Sequence, residues 1–188
     1  MTRPFAIAVV LALVLSSGSA AQHMPGMQHG SASGPTQAGQ AAFAAISEIV
    51  KRLEADSTTD WSKVDIEALR AHLADMDLVT LRARAAARPV DDGLAIDVTG
   101  DAEVAAAITR MVVPHATMLD GMTAWRATAT PIASGTRLTV TARTPGDAGT
   151  IARIRGLGFA GLLVQGDHHT AHHLMIAKGL GHGVHDAP

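Results

Sequence analysis

Between residues 40 and 55, Phe43, Ile46, Val50 and Leu53 recur at helical spacing, because side chains three and four apart share a helix face. The polar run Asp56-Ser57-Thr58-Thr59-Asp60 ends this stretch. A second stripe, Ile66, Leu69, Leu73 and Met76, predicts a helix over 62–76, opened by Ser62 and Asp65 as a capping box. The period then changes. Residues 78–88 alternate, and Leu94, Ile96 and Val98 alternate after the turn signal Asp91-Asp92-Gly93, which predicts a hairpin. Asp101 caps a third helix running to about Met122, with Val104, Ile108, Met111, His115 and Met122 on its apolar face. A second hairpin over 125–132 and 136–143 turns at Ser134-Gly135. Pro145-Gly146-Asp147 opens the last helical region, which Gly156 and Gly158 break before a closing helix over 159–178.

The two hairpin regions resemble each other. LRARAAARPVDDGLAIDVTG and WRATATPIASGTRLTVTA share a strand, a Gly turn and an alternating strand. The predicted order is one helix, two αββ units of about 45 residues each and a closing helix. The simplest architecture is an α+β fold with a four-stranded antiparallel sheet and helices packed on one face.

The ends of the chain read differently. Arg3, the apolar run over 5–15 and the small residues over 16–21 have the layout of a secretory signal peptide. That run is too short for a stable membrane span. Residues 22–39 are rich in Gly, Pro, Ser and Gln without apolar periodicity and predict a flexible tail. A single domain is expected over 40–180, with a short tail over 181–188. The expected location is periplasmic or secreted.

Composition narrows the chemistry. There are no cysteines, so neither disulfides nor thiolate ligands are available. The formal charge of −2 gives no electrostatic basis for binding nucleic acid. Ten His and eight Met stand beside no Tyr and three Phe. Any metal site must therefore be built from His, Met, Asp or Glu.

The strongest chemical signal is Asp167-His168-His169-Thr170-Ala171-His172-His173. On a helix, His168 pairs with His172 and His169 with His173, each pair one turn apart and able to chelate one ion. Met175 falls near the first pair. No Glu follows the first His of either pair, so the general base of the zinc-peptidase helix is missing. Two other helices each place a His near Met: His72 with Met76, and His115 with Met111, Met118 and Met122. Singly, such residues are ordinary core. Together, imidazole and thioether suit copper, especially Cu(I). Pro114, just before His115, frees a backbone carbonyl and bends the helix axis.

The tail adds His23-Met24-Pro25-Gly26-Met27-Gln28-His29, a compositional metal-binding tract. Cleavage after Ala20 would place His23 third in the mature chain, where amine, amides and imidazole form a square-planar Cu(II) or Ni(II) chelate. Met111-Val112-Val113-Pro114-His115 and the 167–173 segment look locally like His/Met helices of some exported, all-helical metal-associated bacterial proteins. The two hairpins do not fit an all-helical fold, and nothing is carried over.

These features predict a metal-binding protein for copper sequestration, delivery or tolerance, with zinc or nickel as alternative ions. The candidate ligands are His168, His169, His172, His173, His115, His72, Met175, Met118 and His23. Expected partners are the metal ion, another periplasmic metal-handling protein and a second copy of the chain. Two other functions fit the same histidines: a metal- or haem-dependent enzyme, and an interaction domain switched by pH.

Overall fold

Both turn signals close hairpins. Asp92 and Ser134 take the left-handed conformation at φ 59° and 62°, which lets each chain reverse tightly. The computed structural model describes residues 40–166 and 169–180. Its elements are α1 (Gln40–Ala55), α2 (Ile66–Leu81), β1 (Arg84–Val90), β2 (Gly93–Thr99), α3 (Ala102–Asp120), β3 (Trp125–Ile132), β4 (Gly135–Ala142), α4 (Ala148–Leu163) and α5 (His169–Ala177). The chain is an α+β protein with one four-stranded antiparallel sheet of order β1-β2-β4-β3. No helix among the described residues is long and apolar enough to cross a membrane.

Alternation decides which face of the sheet is covered. Leu94, Ile96 and Val98 of β2, Leu138 and Val140 of β4, and Trp125 of β3 point to one side. There they meet Val104, Ile108, Val112 and Leu119 of α3 and Ile154 and Leu162 of α4. On the other side Arg137 clasps Asp97 across the central strand pair, with N···O distances of 2.5 and 2.7 Å. Strands β1 and β3 form the two margins of the sheet, and each carries a proline, Pro89 and Pro131.

The central pairing is the same read from either strand. Gly93 opposes Thr141, Gly135 opposes Thr99, and Ile96 faces Leu138 in the middle. The bonds just beyond it match as well: Gly100 N–H donates to Ser134 O at 3.0 Å, and Ala142 N–H to Asp92 O at 2.9 Å. This equivalence stops at the hairpins. Helix α3 packs on β3, β4 and β2, whereas α2 packs chiefly on α3, α5 and α1. A second core joins Ile49 and Leu53 of α1, Leu69 and Leu73 of α2, and Ile176 and Ala177 of α5.

Several boundaries differ from the sequence reading. Helix α2 starts at Ile66, because Asp65 alone is its N-cap and accepts from Ala68 N–H at 2.8 Å. Ser62 belongs to the preceding turn, where its hydroxyl donates to Asp60 at 2.6 Å. The helix continues to Leu81 and takes residues 78–81 from the expected strand, since Val79 and Leu78 both turn toward the main core. Helix α3 ends at Asp120 rather than Met122. The closing helix expected over 159–178 is divided. Gly158 (φ 55°, ψ −163°) kinks α4, which ends at Leu163, a turn with Gly166 at φ 98° follows, and α5 begins at His169. Phe43, expected on the apolar stripe of α1, is 77% exposed, while Ile49 is buried in its place.

Candidate metal centre

Helix α5 has nine residues, too few to persist alone in water. Its C-terminal end fixes it. Gly179 at φ 69° closes a Schellman cap, with Leu180 N–H on Met175 O and Gly179 N–H on Ile176 O, both at 3.0 Å. Asp65 N–H donates to Ala177 O at 2.8 Å, so α2 begins where α5 ends. Lys178 pairs with Asp56 at 2.8 Å. The Lys178 ammonium, with help from Thr58, holds the Asp56 carboxyl well below the usual range. Ile176 and Ala177 bury themselves beside Leu69 and Leu73.

This docking sets the histidines face to face. His72 lies between Leu69 and Leu73 on α2; His172 and His173 lie one turn before Ile176 on α5. The His72 ring centroid is 4.8 Å from that of His172 and 5.4 Å from that of His173, at interplanar angles of 78° and 70°. His173 is also 6.2 Å from His169 and 6.3 Å from His172. His173 is buried, and His72, His169 and His172 are half-buried. Among the described residues no group of three or more His, Asp or Glu side chains stands in ready chelating geometry.

Beside the cluster is a cavity of about 630 Å³, walled mostly by apolar side chains. Helix α2 contributes His72, Met76 and Val79; α3 contributes Met111, His115 and Met118; Phe159 and Leu163 come from α4, and His169 and His172 from α5. His115 is 8% exposed, and its Nε2 lies 2.9 Å from Leu162 O. A carbonyl only accepts, so Nε2 carries a hydrogen and donates it to Leu162 O. Arg110, also on the wall, is bidentate to Asp75 of α2 at 2.7 Å. That pair raises the Arg110 guanidinium above its ordinary pKa and ties α2 to α3.

The sequence-predicted ligands are thus partly gathered. His72, His169, His172 and His173 form one cluster, and His115 and Met118 line the adjoining cavity. Met175 is 49% exposed and lies off the cavity wall. His168 and His23 lie outside the described residues. The sequence reading left Met76 and Met111 out of the ligand set, although both flank a chosen histidine by four residues and both line the cavity. It also missed Asp75 and Arg110, whose partnership across thirty-five positions has no local signature.

Comparison of the chain with protein-family models, with curated proteins and with solved structures gives no match.

Proposed function

We propose that this chain is a metal-binding protein, periplasmic or secreted, that handles copper in sequestration, delivery or tolerance through the imidazoles of α2 and α5. The observation that carries this reading is the approach of His72 to His172 and His173, at 4.8 and 5.4 Å between ring centroids. These residues are far apart in the chain, so helical spacing alone does not bring them together. Metal–nitrogen bonds of about 2.0–2.1 Å, at coordination angles of about 90–110°, put the centroids of two neighbouring imidazoles on one ion roughly 5 Å apart. The pairs stand in that range. Copper is taken before zinc and nickel because methionines border the adjoining cavity, and thioether together with imidazole suits copper.

A cluster that serves only as packing gives no response to added ions, which makes the reading testable. The full chain is titrated with Cu(II), Zn(II) and Ni(II), and its melting temperature is followed. An ion at about one hundred times its Kd stabilises a single-site protein by roughly 2.7 kcal/mol. The expected result is a clear rise with Cu(II), weakened by His72→Ala and removed by His172→Ala with His173→Ala. Ion-induced stabilisation of wild-type size in both variants would refute the assignment, as would none in the wild type.

A further inference from the structure

We infer that the cavity wall of α3 holds a second metal site, a soft one for Cu(I), made by Met111, His115 and Met118 with Met76 of α2 beside it. The inference takes copper from the reading above, but its donors are different side chains. Met111, His115 and Met118 stand four and three residues apart on one helix stripe and all border the same cavity. Met76 borders it from α2, which packs on α3. A methionine that merely fills a core has packed neighbours on every side. Met111 and Met118 pack on the main core and Met76 on the second, and each also borders a space of about 630 Å³ that reaches His72, His169 and His172.

His115 supplies the second argument. It is 8% exposed, and its Nε2–H is held by Leu162 O at 2.9 Å. A ligating imidazole commonly donates its other N–H to a carbonyl, which fixes the tautomer and the ring orientation and makes the donor nitrogen more basic. Here that bond fixes the orientation of a ring that stands between the two thioethers in sequence. Thioether sulfur with one neutral imidazole is a donor set that selects Cu(I) over Zn(II) and other harder ions. Binding involves no redox step, because the ion enters as Cu(I).

The test is an anaerobic titration of the full chain with Cu(I), in competition with the chromogenic chelator bicinchoninate. The wild type is expected to withdraw a tight equivalent that Met111→Leu with Met118→Leu loses, with affinity falling at least tenfold. Leucine nearly matches methionine in size, so the wall keeps its shape. Met24→Leu with Met27→Leu, changed only in the N-terminal tail, is expected to retain that equivalent. His172→Ala with His173→Ala is also expected to retain Cu(I) while losing the stabilisation by Cu(II), so failure of the imidazole cluster and failure of the thioether site are read separately. X-ray absorption of the Cu(I)-loaded wild type, which needs no variant to fold, is expected to give sulfur neighbours. Wild-type Cu(I) affinity in the Met111/Met118 variant, loss that follows Met24 and Met27, or an absorption spectrum with nitrogen and oxygen alone would each overturn the inference.

Discussion

Replacing Gly179 by alanine tests how the short helix carrying the imidazoles is held. Gly179 sits at φ 69°, and a Cβ added there would lie 2.5 Å from Lys63 O. Gly146 supplies the control, at φ 75° with nothing within 4 Å of the added atom. An L-residue in the left-handed region costs roughly 1–2 kcal/mol. The stiffer unfolded chain offsets about 0.4–1 kcal/mol of that. Gly146→Ala should therefore destabilise the protein by about 1 kcal/mol. Gly179→Ala carries the same conformational term and must also push α5 away from the Lys63 backbone. That movement strains the Asp65–Ala177 hydrogen bond of 2.8 Å, worth about 1 kcal/mol net, and loosens the packing of Ile176, for about 1 kcal/mol more at the low end of overpacking effects. The expected loss is then about 3 kcal/mol. At roughly 4 °C per kcal/mol for a domain of this size, the two variants should melt roughly 8 °C apart. Urea unfolding and thermal melts in chelator measure both, and repetition with Cu(II) should give a smaller ion-induced rise for Gly179→Ala. Equal stability of the two variants would show that the contact with Lys63 does not hold α5.

The second core should be as sensitive as the main one. Leu69 has no exposed surface, so Leu69→Ala should lower the unfolding free energy by about 2–5 kcal/mol, and a loss below about 1 kcal/mol would mean that α1, α2 and α5 are loosely joined. Stability should also fall in acid. Asp56, Asp60, Asp97, Asp101 and Asp147 are held below the ordinary carboxylate range, chiefly by Lys178, Ser62, Arg137, the Val104 N–H and Thr150 respectively. With folded pKa values depressed, the unfolded chain takes up protons first, so this stability is complete above about pH 5 and declines as the pH drops through about 4 and below. Urea midpoints at pH 7, 5 and 3 measure the decline, and a midpoint at pH 3 equal to that at pH 7 would contradict it. Trp125 is 1% exposed and Trp61 is 57% exposed, so Trp61→Phe should leave a blue-shifted emission that moves red on unfolding. A water-like emission maximum from the folded variant would place Trp125 outside the core.

Local patterns revealed much of this fold, and long-range docking was hidden. Helix α1 and both hairpins were legible because polar runs and Gly turns bound each of them closely. Helix α2 was harder, because Leu78 and Val79 fit the end of a helix as well as the start of an alternating strand. Gly158 was legible as a break, yet Gly166, in a turn at φ 98°, was passed over inside a longer expected helix. The candidate site divides in the same way. His169 with His173 follows from helical spacing alone. The approach of His72 does not, because it depends on Ile176 and Ala177 packing beside Leu69 and on Asp65 binding the end of α5. No single segment encodes that arrangement.

The prolines at the sheet margins have a consequence beyond the fold itself. Growth of a sheet by strand addition needs a row of free amides on a smooth edge. On β1, Pro89 removes one amide and Arg84 and Arg88 add like charges along an exposed strand; on β3, Pro131 and Arg126 do the same. Both borders thus resist edge-to-edge templating and the aggregation it starts.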